Sequence, residues 1–346
     1  MTKVSIIVPV YNVEEYLKGC LDCLVKQTLT DLEFICINDG STDSSLEILN
    51  EYAKKDGRFI ILSQENQGQG VARNNAIQIS KGEYIAFLDP DDWVELNALE
   101  ILYNFAKEKN AQIVQFNYKE YNQYSRAIKN VSFAQKVKKT YNYDLSETPY
   151  YNWRNLKKDC LCELDLHVWA HFYNTNFIKN NNIVFAPSKR GEDHLFANGA
   201  KLLADKVYYL DEYLYYYRCR EGSAVNTKGD DNFCVFDNIK KLEEFIKEHN
   251  LWEELKEEFT TYTRTVLTWH YEQNPIERIK EYEEICKKIL SEKEFKKMLK
   301  SAKRKRKFIE NIFSLKNKRE NAIKYKVLTI LGISFVIKPK QNKGGK

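Results

Sequence analysis

The sequence predicts an α/β protein built on a mostly parallel sheet with helices on both faces. Short apolar runs rich in β-branched residues alternate with segments of helical periodicity over the first 117 residues. This alternation is typical of strand–helix–strand units. Polar residues and glycines follow four of the predicted strands. With 43% hydrophobic residues in 346, the chain has enough apolar surface for one large or two smaller cores.

Five strands are predicted from the apolar runs, because a strand buried on both faces forms a nearly continuous hydrophobic segment. They are KVSIIVPVY, LEFICIND, RFIILSQ, YIAFLD and QIVQFN. Four helices separate them, each with apolar residues three and four positions apart, and the second opens on a Ser/Thr/Asp cap. They are EEYLKGCLDCLVKQ, STDSSLEILNEYAKK, GVARNNAIQIS and ELNALEILYNFAKEKN.

The rest of the chain has three kinds of pattern. Residues 120–165 are rich in Tyr and Asn with little periodicity, and we interpret them as an excursion over the site. A second ordered block follows, and from Asp231 to Leu299 the pattern is helical and charged, with an interruption near Pro275. The tail is basic: from Ser291 onward there are 18 Lys and Arg against 4 Glu, in a chain of net charge +5.

The polar residues at the predicted strand ends are expected to form one site, because the carboxyl ends of parallel strands meet at one edge of a sheet, where ligands bind. Four successive loops contribute to this edge. Their chemistry-bearing residues are Pro9, Tyr11, Asn12, Asp39, Asp43, Gly68, Gly70, Arg73, Asp89, Asp91 and Asp92.

Three aspartates follow the fourth strand in the segment YIAFLDPDDWV. Like charges this close repel each other, which favours a positive partner. Carboxylate oxygens suit Mg²⁺ or Mn²⁺, which keep positions open for phosphate oxygens of a substrate. The alternative is that Asp91 or Asp92 caps a helix beginning near Glu95. Capping explains one aspartate only, so we favour metal and nucleotide binding.

The segment ENQGQGVARNNAI supplies groups that bind anions. Gly68 and Gly70 allow close approach of the backbone, and a helix begins immediately after them with Arg73 in its first turn. Backbone amides and a guanidinium can therefore meet phosphate oxygens. Next to the acidic loop, this pattern predicts a diphosphate and its metal.

The segments VSIIVPVYN, INDGSTDSS, NQGQGVARNNAI and YIAFLDPDDW together resemble glycosyltransferase family 2, the nucleotide-sugar transferases of the GT-A fold. The four motifs follow the order and spacing of the family across residues 4 to 93. The resemblance implies a UDP-sugar donor, a divalent metal, Mn²⁺ or Mg²⁺, and inversion at the anomeric carbon. The chain has no Gln-x-x-Arg-Trp segment, so we expect one sugar to be added per acceptor encounter.

The resemblance also implies roles for individual residues. Pro9, Tyr11 and Asp39 would contact the nucleobase. Asp89 and Asp91 match the Asp-x-Asp signature, with Asp91 as the direct metal ligand and Asp89 nearer the ribose or the sugar. Arg73 matches the donor-binding arginine. Asp92 could fix the sugar or cap a helix, and both alternatives stay open. Asn38 departs from the family, where a second aspartate is common.

Glu192 and Asp193 in FAPSKRGEDHLFANG resemble the Glu-Asp pair of the family, and Asp193 matches its general base. A base is needed to take the proton from the acceptor hydroxyl. Glu192 would raise the pKa of the pair, which suits this role. The alternative is helix capping or a surface acidic pair. Further along, Arg220 and Ser223 resemble the segment that closes over the donor diphosphate.

Two metal-like spacings are assigned a structural role. Cys20 and Cys23 lie in a predicted helix without a second pair of cysteines. His167 and His171 stand four residues apart without a third ligand nearby. The family often has a lysine where His171 stands, so an acceptor contact at this position is not carried over.

The predicted organisation has four parts. Residues 1–120 form the nucleotide-sugar-binding subdomain, 121–230 the acceptor-binding and catalytic-base part, 231–300 a helical region and 301–346 a basic amphipathic tail. The tail is expected to contact an anionic membrane surface, where each basic residue contributes about 1 kcal/mol. No nucleic-acid module accompanies it. No window approaches the roughly 20 apolar residues of a membrane span, and the amino terminus lacks the pattern of a signal peptide.

We therefore expect a cytoplasmic enzyme, peripheral on the inner face of the cytoplasmic membrane, that transfers a sugar to a saccharide or lipid-linked saccharide acceptor in bacterial capsule, lipooligosaccharide or glycoprotein glycan synthesis. Two alternative functions predict different sequence features. A sugar-phosphate nucleotidyltransferase should carry a Gly-rich basic loop after the first strand, which VPVYNVEEY lacks. A non-catalytic nucleotide-sugar- or membrane-binding adaptor should have lost some of the acidic residues.

Overall fold

The computed structural model describes residues 1–157, 160–164, 166–220, 233–320, 323–330 and 333–337, with side chains described up to residue 303 except at 163 and 276. The chain divides into two units, Met1–Tyr262 and Thr263–Lys346. The predicted α/β class is confirmed: the first unit is a mixed sheet with helices packed against it.

The strands of the first unit pair into one sheet. Their bounds are β1 (Val4–Val10), β2 (Leu32–Asp39), β3 (Phe59–Gln64), β4 (Tyr84–Phe87), β5 (Trp93–Val94), β6 (Ile113–Asn122), β7 (Ile128–Val131), β8 (Tyr150–Tyr151), β9 (His171–Asn174) and β10 (Val207–Cys219). The order is β3-β2-β1-β4-β9-β6-β10-β5, and β7 and β8 pair with β6 and β10. Strands β3, β2, β1 and β4 are mutually parallel, whereas β9 runs antiparallel to β4 and β6.

The helices are α1 (Glu14–Val25), α2 (Ser45–Lys55), α3 (Gln69–Ile79), α4 (Ala98–Lys109), α5 (Phe133–Tyr141), α6 (Cys160–Glu163), α7 (Thr175–Asn180), α8 (Asp193–Leu203), α9 (Cys234–Glu248), α10 (Trp252–Gln273), α11 (Ile279–Ile289) and α12 (Glu292–Ile312). Every residue of β1 and β2 is buried, which agrees with their continuous apolar sequences. Helix α3 packs against these two strands.

The nine elements predicted over the first 117 residues are all present. One boundary difference bears on the site: a helix is expected from near Glu95, but the short strand β5 comes first and α4 begins at Ala98. Strand β5 pairs antiparallel with β10, a partner more than 120 residues away. This pairing holds the segment after the aspartates in extended conformation, and local periodicity cannot reveal it.

Residues 120–165 are more regular than their sequence indicates, with β7, α5, β8 and α6 in this stretch. Helix α5 buries only Phe133 and Val137, four positions apart, so its apolar pattern is short. The predicted break near Pro275 is confirmed between α10 and α11.

In the second unit, three antiparallel strands follow α12: β11 (Phe313–Glu320), β12 (Ile323–Ile330) and β13 (Ile333–Ile337). Among the described residues, no helix is long and apolar enough to cross a membrane.

Candidate active site

The candidate site lies at the carboxyl edge of the four parallel strands, as the sequence predicts. Val10, Asp39, Gln64 and Phe87 end these strands. Pro9 is buried in β1, whereas Tyr11, just beyond it, is 50% exposed at this edge. Asn12 has φ 45° and accepts the Thr42 backbone N–H at 2.8 Å, which ties the first loop to the second. Ser223 lies outside the described residues.

Asp39 organises the loop after β3. Its buried carboxylate accepts the backbone N–H groups of Gln67 and Gly68, both at 2.9 Å, and the side-chain amide of Gln64 at 2.8 Å. A carboxylate offers about four acceptor positions, so a further N–H from a base can still bind. The nucleobase contact of Asp39 stays a prediction. The structure shows in addition that Asp39 holds the loop that contains Gly68.

The glycines of this loop allow helix α3 to approach the segment 186–192. Gly68 adopts φ +89°, a left-handed conformation that favours glycine. At Gly70, an added Cβ would lie 2.6 Å from the Ala186 carbonyl oxygen and 2.9 Å from Cβ of Glu192. The close packing places the first turn of α3 directly against the loop that carries Glu192.

Gly70→Ala is therefore expected to lower the free energy of unfolding by about 1–3 kcal/mol, as overpacking does in cores. The matched control is Gly19→Ala within α1, where an added Cβ meets nothing within 4 Å. Removing a helical glycine there should stabilise by about 0.5–1 kcal/mol. Urea unfolding of the two variants measures the difference, and equal effects would contradict the proposed close approach.

Arg73 is at the centre of the site and its side chain is only 3% exposed. One terminal nitrogen donates to Asp89 Oδ1 at 2.7 Å, and the other donates to Glu192 Oε1 at 3.0 Å. Gln69, one turn earlier on α3, donates to the same Glu192 oxygen at 2.5 Å. Arg73 thus joins the acidic loop to the Glu-Asp segment. Its phosphate contact stays a prediction.

The charges of this network act on each other strongly because they are buried. Burial raises the pKa of Glu192 to about 7, with Asp193 adding to the rise and Arg73 opposing it. Burial also raises the pKa of Asp89, against the opposing effect of Arg73, and the carboxylates of Asp91 and Asp193 add to the rise. Burial opposes the ionisation of Arg73, but the three nearby carboxylates outweigh it and raise its pKa.

Asp193 is the first residue of α8, adjacent to Glu192, and its carboxylate is partly exposed. It acts electrostatically on both Asp89 and Arg73, so the acidic loop and the start of α8 lie close together. Neither Glu192 nor Asp193 makes a side-chain capping bond at this helix, as far as the described residues show. The capping alternative for the pair is therefore not supported.

Asp92 has a structural function that the sequence did not reveal. Its buried carboxylate receives the Arg218 backbone N–H at 2.7 Å and the Tyr215 hydroxyl, also at 2.7 Å, both from β10. Burial raises its pKa well above the ordinary range, and Asp91 and Asp89 add to the rise. Asp92 thus anchors the acidic loop to β10 and does not cap a helix, since β5 follows it and the N-cap of α4 is Asn97. Its sugar contact stays a prediction.

Tyr215→Phe is expected to lower the free energy of unfolding by about 1–3 kcal/mol, because the buried Asp92 carboxylate loses the hydrogen bond that the Tyr215 hydroxyl donates. The Tyr215 hydroxyl also accepts the Asp89 backbone N–H at 3.2 Å. Tyr213→Phe on the same strand is the control, since its hydroxyl makes no hydrogen bond with the described residues, and a change within about 0.5 kcal/mol is expected. Thermal or urea unfolding compares them. Equal stability would contradict the anchoring role.

Asp91 and its arginine partners complete the acidic loop. Asp91 Oδ2 accepts Nε of Arg220 at 2.8 Å, and the Asp91 carbonyl accepts Nε of Arg218 at 2.7 Å. The Arg218 guanidinium lies over the ring of Trp93, 4.8 Å from its centroid. Trp93 also stacks on Tyr216 at 4.9 Å, so it packs against β10.

The donor set at this loop fits a hard divalent cation. Asp89 and Asp91 are half-buried, and each keeps one carboxylate oxygen that accepts no hydrogen bond from the described residues. Proteins commonly bind Mg²⁺ or Mn²⁺ through one or two carboxylates and leave further coordination positions of the cation to phosphate oxygens of the substrate. No cluster of three or more His, Cys, Asp or Glu side chains suited to a metal occurs in the described part of the chain.

An aromatic cluster beside the acidic loop was not predicted. Trp169 stacks on Tyr215, with ring centroids 4.4 Å apart, and on His167 at 4.7 Å. Since the Tyr215 hydroxyl also donates to Asp92, the aromatic cluster helps to fix the position of the acidic loop. The His171 ring nitrogen contacts the His167 carbonyl at 2.8 Å. Cys20 and Cys23 are buried free thiols, as expected, and burial raises the pKa of Cys23 to about 11.

Comparison with known proteins agrees with this geometry. The family described as "Glycosyl transferase family 2" matches residues 5–163. Glycosyltransferase GlyG of Streptococcus pneumoniae is 32% identical over 246 residues, which cover 66% of this chain and 74% of GlyG. The poly(ribitol-phosphate) beta-glucosyltransferase of Bacillus spizizenii is 36% identical over 220 residues, 62% of this chain and 32% of that protein. The matched part of this chain thus covers only about a third of the length of that relative.

Among solved structures, the S. aureus TarS fragment 1–349 in complex with UDP-GlcNAc has a TM-score of 0.59 over 97% of this chain and 99% of that one. At 22% identity this similarity shows the fold. Fold and site together define a glycosyltransferase of the GT-A type. The chain belongs to glycosyltransferase family 2.

Proposed function

We propose that this glycosyltransferase moves a single sugar, with inversion, from a UDP-sugar to a saccharide acceptor in a reaction that requires Mn²⁺ or Mg²⁺. One observation carries the proposal: the buried Arg73 joins Asp89 of the acidic loop to Glu192, and Asp193 follows Glu192 directly. Arg73 would thereby hold the proposed cation site and the proposed general base close to each other.

The donor would be held by the strand-end residues. The exposed ring of Tyr11 offers a stacking surface beside Pro9, and Asp39 keeps capacity for an N–H of the base. Uridine is supported by the TarS fragment, which has the same fold and was solved with UDP-GlcNAc. When bound at Asp91 and Asp89, a divalent cation would neutralise negative charge on the departing diphosphate.

Asp193 would take the proton from the acceptor hydroxyl as the oxygen attacks the anomeric carbon and the bond to the diphosphate breaks. Its carboxylate is partly exposed and accepts no hydrogen bond from the residues that the structure describes, so it is available for this role. Glu192 differs, because it is buried and accepts from both Arg73 and Gln69. We propose that Glu192 positions the base and does not itself touch the acceptor.

The acceptor is proposed to be a component of a bacterial surface glycan, carried in some cases on lipid. A relative of this chain is a poly(ribitol-phosphate) beta-glucosyltransferase, which supports a cell-surface polymer as the acceptor class. The tail would contact an anionic membrane, as its excess of basic residues favours. Within the tail, Leu328 is paired with Leu315 of β11 and with Phe335 of β13.

The proposal is tested by release of free nucleoside diphosphate from UDP-, GDP- and dTDP-sugars, with Mn²⁺ or with EDTA. Wild type is compared with Asp91→Ala and Asp193→Asn, and Asp205→Asn serves as the control, since Asp205 is an exposed residue before β10. Slow hydrolysis of one UDP-sugar that needs Mn²⁺ and is lost in Asp91→Ala is expected. If no donor is hydrolysed and calorimetry with Mn²⁺ shows no binding, the proposed donor site is wrong.

A further inference from the structure

The Asp91 side chain, proposed above as the metal ligand, is occupied by an arginine. Arg220 Nε donates to Asp91 Oδ2 at 2.8 Å, and the two side chains are 21% and 19% exposed. The Arg220 guanidinium also lies over the ring of Tyr16, 4.8 Å from its centroid. A positively charged group therefore lies against the carboxylate that a cation would use.

The main chain of the acidic loop is held independently of Arg220. The Asp91 carbonyl accepts Nε of Arg218, and Asp92 is anchored to β10 by the backbone N–H of the same residue. Asp89 is held from the other side by Arg73. The loop thus has three attachments that remain when Arg220 is absent, so removing Arg220 frees a carboxylate oxygen while the loop keeps its anchors.

From this geometry we propose that Arg220 acts as a placeholder for the cation: it holds Asp91 before the donor binds, competes with Mn²⁺ or Mg²⁺ for that carboxylate, and transfers to the donor diphosphate when both arrive together. A guanidinium and a divalent cation on one carboxylate repel each other. A diphosphate removes the conflict, because its oxygens accept the fork of the displaced arginine.

The consequence is coupling between metal and nucleotide. Without nucleotide, the cation has either to displace Arg220 from Asp91 or to bind the other Asp91 oxygen against the positive charge of the neighbouring guanidinium. With nucleotide, the arginine gains phosphate oxygens in exchange. The enzyme would therefore bind the cation weakly alone and more tightly with a nucleoside diphosphate, which restricts metal loading to the donor complex. This inference rests on the proposed metal-dependent function and assigns a second role to the predicted donor-binding Arg220.

The test measures binding of Mn²⁺ alone to the full chain by electron paramagnetic resonance, which detects free Mn²⁺, in wild type and Arg220→Ala. Removing the competitor is expected to tighten Mn²⁺ binding by about three- to tenfold, as a partly exposed ion pair allows. Calorimetry at saturating Mn²⁺ then measures binding of UDP, which should weaken by about tenfold because the charge-assisted phosphate contact is lost. The two changes have opposite signs, which general loss of structure would not produce.

Two further variants sharpen the test. Arg220→Lys keeps the charge but loses the planar fork, so both effects should be smaller than in Arg220→Ala. Arg126→Ala removes an exposed arginine from the β6–β7 connection without touching Asp91, and it should leave Mn²⁺ binding unchanged. Circular dichroism melting of each variant checks folding.

The outcomes separate this inference from the function on which it rests. If wild type binds Mn²⁺ more tightly with UDP than without it, but Arg220→Ala binds Mn²⁺ no better than wild type, the placeholder role is wrong and the metal assignment stands. If neither protein binds Mn²⁺ even when UDP is present, the metal assignment is wrong and the placeholder role is overturned with it.

Discussion

Asp193→Asn is expected to lower the rate of sugar transfer to the acceptor by about 10²–10⁴-fold, the usual contribution of a general base. An amide has the same shape as a carboxylate but cannot take the proton of the attacking hydroxyl. Asp193 is the first residue of α8 and its side chain is not needed as a cap, so the helix should remain. Steady-state kinetics with the natural acceptor measures the effect, which should fall on kcat.

Binding provides the control for this prediction. UDP affinity in the presence of Mn²⁺ should change little in Asp193→Asn, since the donor is proposed to be held by the strand-end loops. Asp205→Asn, an exposed carboxylate outside the site, should keep full activity. Transfer at the wild-type rate in Asp193→Asn would exclude this residue as the base. A loss of UDP binding as large as the loss of rate would indicate a donor-binding role.

Arg73→Ala is expected to lower the free energy of unfolding by about 3–5 kcal/mol, the usual cost of breaking a buried ion pair. Arg73 is the shared partner of Asp89 and Glu192, and burial already raises the pKa of both acids. Without the guanidinium, the half-buried Asp89 and the buried Glu192 would lose their shared positive partner, and each carboxyl group would have to be protonated or hydrated. Urea unfolding at neutral pH measures the loss.

A double variant distinguishes a broken pair from lost packing. Replacing a buried pair as a whole costs less than breaking it, because no charge is left unpaired. Arg73→Met combined with Glu192→Gln should therefore be more stable than the sum of the two single changes predicts, by about 0.5–3 kcal/mol. Simple additivity would mean that Arg73 contributes through packing, for example against the Phe185 ring 5.2 Å away.

The strands and helices of the first 117 residues could be predicted because their signals are local. The apolar run of β1 and the cap-and-period pattern of α2 depend on neighbours within a few positions. The position of Asp39, Arg73 and Asp91 at one edge also follows from sequence, because parallel strands bring their carboxyl ends together. Gln69 was missed, although its place one turn before Arg73 is a signal that could have identified it.

The partners of these residues could not be predicted, because they come from distant parts of the chain. Asp92 is held by Tyr215 and Arg218, more than 120 residues later, through the β5–β10 pairing. Glu192 reaches Arg73 across 119 residues. No periodicity relates such positions. In addition, the local sequence around an arginine is the same whether the side chain is buried between two acids or exposed and available to bind phosphate.

The amino-acid sequence was thus sufficient for the α/β class, the strand-end location of the site and the resemblance to family 2, since each depends on local patterns and on the general geometry of parallel sheets. Tertiary structure decided which carboxylates are free and which are occupied. Asp193 stays available, Glu192 and Asp92 are used for support, and Asp91 is held by Arg220. The reason is physical: a buried charge must find a partner, and the partner is set by how the chain packs.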